Sequence, residues 1–130
     1  MLRLRVQPNS PAPIFEQIVQ QIRRAVAVGR ARPGDQIPTV RELASELLVN
    51  PNTIARAYQM MEQAGALVTR RGAGTFIAEP NCALSREERA RILTERIDAC
   101  LTEAVHLQFD SASVRDRFER AMKRYHWPEA

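Results

Sequence analysis

The stretch VNPNTIARAY, residues 49–58, sets a proline at the head of an apolar-periodic run, with an asparagine on either side and an arginine one turn further along. Inside a helix a proline removes a backbone hydrogen bond and clashes with the preceding turn. At the first helical position its missing N–H costs nothing, and its φ is already helical. Pro51 is therefore read as the start of a helix, and Asn50 as its N-cap, whose side-chain oxygen accepts from a free N–H of the first turn. The helix runs on through Ile54, Ala57, Tyr58 and Met61 to Gly65, a residue suited to the left-handed position beyond a helix end. Its tip then carries Asn50, Asn52 and Thr53 with Arg56 behind them. Short polar side chains and one cation at a helix tip suit the groove of a duplex.

Immediately upstream, TVRE offers a capping box, Thr39 with Glu42, opening a short helix over Val40 to Leu47. Leu48 and Val49 form a tight turn, so the two helices make a helix-turn-helix. Further upstream Ile14, Ile18, Ile22 and Val26 recur every four residues, with Phe15 and Val19 beside them, and predict a helix from Ile14 to Val28. Gly29, Pro33 and Gly34 break it. Downstream, ALVTRRGAGTFIAE (residues 66–79) reads as two strands, Ala66 to Thr69 and Thr75 to Ala78, around a glycine-containing turn at Arg70 to Gly74. A hairpin tipped by Arg70 and Arg71, with Gly72 and Gly74 allowing close backbone approach, suits a minor-groove or phosphate contact.

Charge agrees with this. The net charge of +4 lies wholly in residues 1–80, where ten arginines face six acids, while residues 81–130 hold nine basic and nine acidic residues. A basic first part meets a polyanion; a neutral second part does something else. With 130 residues the chain accommodates one ordinary domain or a small domain with an appendage, and a large enzyme is excluded. No apolar run approaches the roughly 18 residues of a membrane span, and MLRLRVQPNS is no signal peptide, so the expected compartment is the cytoplasm and no membrane partner is expected. Cys82 and Cys100 are too few for a disulfide framework, and no histidine stands near either at a ligand spacing; they read as packing or surface thiols. His106 and His126 read as surface or packing residues. No activated nucleophile, no glycine-rich loop opening a helix after a strand and no metal spacing is present, so the expectation is a non-enzyme without cofactor or metal.

The last 50 residues have their own pattern. Ser85 and Glu88 form a capping box before a helix over Arg86 to Leu107, striped by Leu93, Ile97, Leu101, Ala104 and Val105. A second helix over Ser113 to Tyr125 presents Val114, Phe118, Ala121, Met122 and Tyr125 on one side. Two helices cannot build a core alone, so these stripes must pack on the first domain or on a second copy of themselves.

The string PIFEQIVQQIRRAVAVGRARPGDQIPTVRELASELLVNPNTIARAYQMMEQAGALVTRRGAGTFIA, residues 13–78, resembles the winged-helix domain of GntR-type bacterial transcription regulators. The resemblance rests on PGDQIPTVRELA, VNPNTIARAY and GALVTRRGAGTF in that order and spacing. The NPNT...RAY form is most similar to two branches: one with an aminotransferase-like domain that binds pyridoxal phosphate, and the YtrA type, with a short helical tail. About 50 residues after the wing fit the second.

This implies a mainly α fold with a small β-hairpin: a winged helix-turn-helix DNA-binding domain over residues 1–80, then a two-helix dimerisation or effector tail over 81–130. It implies a homodimeric regulator, a repressor by expectation, on an inverted-repeat operator, with its own operon and ABC-type transporter genes as expected targets. Candidate DNA contacts are Thr39, Arg41, Asn50, Asn52, Thr53, Arg56, Tyr58, Arg70, Arg71 and Gly72. Arg41 matches an arginine that DNA-bound relatives use near the backbone or a base, Asn50 has capping as an alternative role, and Tyr58 is open between core packing and a phosphate contact. Candidate dimer contacts are Leu93, Ile97, Leu101, Ala104, Val105, Val114, Phe118 and Met122. Pro51 stands where many family members carry an arginine, and Ala55 replaces another frequent polar contact, so base preference does not transfer. The rival reading is a DNA-binding architectural or interaction module of low sequence preference.

Overall fold

A computed structural model describes residues 2–79 and 84–128. Cys82 and the expected boundary between residues 80 and 81 lie outside the described residues. These residues form two compact units, 2–79 together with 126–128, and 84–125.

In the first unit the elements run α1 (Ile14–Ala27), β1 (Gln36–Ile37), α2 (Val40–Leu47), α3 (Pro51–Gln63), β2 (Leu67–Arg70) and β3 (Gly74–Ile77). Ile18, Ile22, Leu43 and Ile54 are fully buried, so α1, α2 and α3 meet at one apolar centre, closed by Ile37, Leu67 and Ile77 from the sheet. The expected hairpin is one strand larger. β1 pairs antiparallel with β3, Gln36 opposite Phe76, and the sheet runs β1-β3-β2 with Leu67 opposite Ile77 and Arg70 opposite Gly74.

The residues ahead of α1 are also part of this unit. Leu4 is buried, with Leu2 and Val6 packed at the core's edge, an every-second-residue pattern that belongs to extended chain. Two glutamines one helical turn apart hold this arm like a neighbouring strand. The Gln17 side chain accepts from Gln7 N–H at 2.8 Å and donates to the Gln7 carbonyl at 3.0 Å. Gln21 treats Arg5 in the same way, its Oε1 accepting from Arg5 N–H at 2.9 Å and its amide donating to the Arg5 carbonyl.

Between α2 and α3, Leu48 adopts the left-handed conformation (φ 56°) with its side chain 93% exposed. The side chain gains almost nothing from burial, and a residue with a Cβ pays about 1–2 kcal/mol for that backbone geometry. Leu48→Gly is therefore expected to stabilise the first unit by about 0.5–1 kcal/mol after glycine's greater entropy in the unfolded chain is subtracted. Chemical denaturation of the two proteins measures it, and a destabilised variant would show that Leu48 packs against something in solution.

In the second unit, Ser85 caps α4 (Arg86–His106) by accepting from Glu88 N–H at 3.1 Å. The chain turns through Gln108 (φ 65°) into α5 (Ser111–Met122). α5 begins two residues earlier than expected because Asp110 is the cap, accepting from Ser113 N–H at 3.2 Å. Hydrogen bonds from the Ser113 hydroxyl and N–H hold the Asp110 carboxyl below its ordinary range. Neither α4 nor α5 contains a buried residue. Their facing sides form an open groove of about 520 Å³ lined by Ile97, Leu101, Val105, Phe109, Val114 and Phe118. Leu93, Val105 and Met122 are 61%, 71% and 48% exposed, so these members of the stripe predicted from periodicity lie at the surface. Cys100 lies exposed on α4.

Candidate DNA-binding interface

The candidate contacts of the first unit cluster at two helix N-termini and one hairpin turn. At α2 the capping box is complete: Thr39 Oγ1 accepts from Glu42 N–H at 3.1 Å while Glu42 Oε1 accepts from Thr39 N–H at the same distance. Thr39 and Arg41 are exposed at this tip. At α3, Asn50 Oδ1 accepts from Asn52 N–H at 2.9 Å with Pro51 at the first helical position. The Asn50 oxygen is thus occupied by capping, which leaves its amide N–H groups as the part able to face a ligand. Asn52 and Arg56 are exposed and Thr53 is half-buried.

Tyr58 requires a correction. It is 4% exposed, and its hydroxyl donates to the Pro38 carbonyl at 2.7 Å. A phosphate oxygen would need that same proton, so the phenol is not free for the contact considered from sequence. Burial, with Glu42's negative charge adding to it, holds the phenol well above its ordinary pKa. What Tyr58 does instead is fasten α3 to the residue preceding Thr39, and so set one candidate helix tip against the other.

On the wing, Arg70 lies over the Phe76 ring at 5.3 Å, and Arg71 is exposed in the turn. Gly72 (φ +80°) and Gly74 (φ +123°) hold backbone angles that side chains with a Cβ rarely adopt. The turn is supported from β1: Gln36 Nε2 donates to the Ala73 carbonyl at 3.0 Å, and a Cβ at Gly74 would stand 2.6 Å from that nitrogen. Gln36 is a part of the wing that sequence reasoning missed, since it is 37 residues from Ala73.

Two further polar residues of α3, Gln59 and Gln63, were not singled out from sequence. Both are exposed and continue the outward stripe of α3 from Asn52 and Arg56 at helical spacing. The i, i+4, i+7, i+11 polar series was the available signal. Among the described residues no group of three or more His, Cys, Asp or Glu is placed to hold a metal ion, and no helix is long and apolar enough to cross a membrane.

Comparison with known proteins places this geometry in a family. The sequence profile described as bacterial regulatory proteins, gntR family, matches residues 14–77. The HTH-type transcriptional repressor YtrA of Bacillus subtilis is 37% identical over 101 residues, 78% of this chain and 78% of that protein. The chain belongs to the GntR family. Among solved structures, a transcriptional antiterminator from Listeria monocytogenes EGD-e superposes with a TM-score of 0.76 at 30% identity, over 96% of this chain and 94% of that one. The AraR DNA-binding domain in complex with operator ORX1 superposes with a TM-score of 0.51 at 31% identity, covering 56% of this chain and 90% of that chain. The GntR chain described here is accordingly a DNA-binding transcription regulator with a winged helix-turn-helix fold. The relatives matched are transcription regulators.

Proposed function

We propose that this GntR chain acts as a homodimeric repressor in the bacterial cytoplasm, binding an inverted-repeat operator with one α3 tip in the major groove of each half-site. The first unit, bounded near residue 80, is the DNA-binding domain, and the remainder is the dimerisation tail. The observation that carries the dimer is the uncovered apolar face of α4 and α5, in which no residue is buried. A twofold pair presents two equal reading heads, spaced by about one DNA turn, roughly 34 Å, or a simple variant of it. Similarity to a protein named a repressor supports repression over activation. Its own operon and neighbouring ABC-type transporter genes are the proposed targets, and an effector would act by changing the relative placement of the two reading heads.

Within each head, Asn52 pairs with an adenine edge, Thr53 offers hydroxyl or methyl contacts, and Arg56 holds a phosphate or a guanine. Thr39, Arg41, Arg70, Arg71 and the Gly72 backbone address the DNA backbone and minor groove.

Selection of bound sequences from a random duplex pool by the full chain, at near-physiological salt, tests the reading. An inverted repeat is expected, and binding without enrichment of any sequence would favour the architectural alternative. On the selected duplex, Asn52→Ala should cost about 1–3 kcal/mol at one base position per half-site, whereas Arg71→Ala should weaken all sequences evenly and lower the salt slope by about 1. Unchanged base preference in Asn52→Ala would remove that residue from readout.

A further inference from the structure

Arg56 is exposed on α3, yet its guanidinium carbon lies 4.0 Å from the centroid of the Phe15 ring on α1. Phe15 is half-buried and packs at the margin of the core, so its ring is held by the apolar centre while one face supports an arginine outside it. That separation is well inside cation–π range. A guanidinium over a ring face engages the ring without using its N–H donors on another acceptor, so they remain for a phosphate or a guanine edge. A free arginine loses rotamer freedom when it binds, and one held over a ring has already lost much of it. The relation recurs on the wing, where Arg70 lies over Phe76 at 5.3 Å across the β2–β3 pair.

We infer that Phe15, a core-margin residue of α1, is a positioning residue for DNA binding: its ring is the platform that holds the Arg56 guanidinium ready for the duplex. This rests on the DNA-binding reading of the α3 tip given above. Arg56 makes the contact; Phe15 acts through it and does not touch the duplex.

A double-mutant cycle on the full chain separates this role from simple packing. Affinities are measured for the duplex enriched from the random pool, with wild type, Phe15→Leu, Phe15→Tyr, Arg56→Gln and the Phe15→Leu/Arg56→Gln pair. Phe15→Leu keeps an apolar side chain and removes the ring; it is expected to weaken binding about three- to fivefold when Arg56 is present, the scale of ordering one long side chain on binding. In the Arg56→Gln background the same change is expected to weaken binding less than about 1.5-fold, because there is no guanidinium left to position. Phe15→Tyr, which retains the ring, should rescue. Melting temperature should fall for Phe15→Leu in both backgrounds, and by somewhat more where Arg56 is present, since the lost packing does not depend on Arg56 whereas the lost cation–π contact does. Equal weakening of binding in both backgrounds, or none in either, would overturn the proposal while leaving the regulator reading intact. Wild-type protein that binds no duplex would overturn both.

Discussion

Replacing Ile97 and Leu101 together with glutamate is expected to convert the proposed dimer to a monomer and to weaken operator binding by about 10²- to 10⁴-fold. Both residues line the groove between α4 and α5, and they are 39% and 41% exposed, so they are available for a partner's apolar surface. A carboxylate buried there without a partner loses its hydration and gains no compensating bond, which dissociates the pair rather than leaving charge inside it. Dissociation removes the linkage between two reading heads. Each α3 tip then binds as a separate event, without the effective concentration that its twin supplied, and that linkage accounts for the factor above. Sedimentation gives the oligomeric state and titration of the selected duplex gives the affinity. The first unit should melt as in wild type, because neither residue belongs to it. A variant that still sediments as a dimer would place the contact elsewhere, and one that is monomeric but binds with full affinity would show that a single head is enough.

Where local chemistry decided the structure, it was readable. α2 spans Val40–Leu47 as the Thr39 capping box implied, and α3 starts at Pro51 under an Asn50 cap, because each of these signals is a bond between residues two or three apart. α1 ends one residue short of the expected Val28, and the wing strands shift by one toward the turn, the usual play of frayed ends. What could not be read depends on contacts far apart in sequence. β1 is only two residues long and exists because β3 passes beside it. The arm clamp joins Gln21 to Arg5, 16 residues away, through side-chain amides that imitate a strand. Nothing in a run of glutamines marks which one will do this.

The interface divides in the same way. Caps and glycine turns were legible at Asn50, Thr39 and Gly72, whereas each side chain's use depended on its neighbours across the fold. Tyr58 shows this most clearly. Its helical position suited either core or contact, and the Pro38 carbonyl 20 residues upstream decided the matter. Arg56 is the converse: its ring partner sits on α1, and only packing of α1 against α3 brings the two together.

Ile54→Ala is expected to produce the largest loss of stability in the reading head. Ile54 is fully buried in α3, two residues from Asn52, and it anchors on the core the helix whose outer face carries Asn52, Arg56 and Gln59. Truncating a core isoleucine removes its transfer free energy and leaves a cavity, together about 2–5 kcal/mol. A domain of this size has about 5–15 kcal/mol in all, and about 1 kcal/mol moves its midpoint by about 4–8 °C, so a fall of 10 °C or more is expected. Well below the new midpoint the variant should retain the wild-type base preference, since the side chains that read the groove are unchanged. Asn52→Ala should do the opposite, altering preference at one base position with little effect on the midpoint, because its side chain is exposed. Thermal denaturation and sequence selection on the same two proteins make the comparison. A loss below about 1 kcal/mol for Ile54→Ala would mean that α3 is not seated through this residue. A changed base preference at low temperature would mean that core and readout are coupled: the tip geometry, as well as its chemistry, then selects the operator.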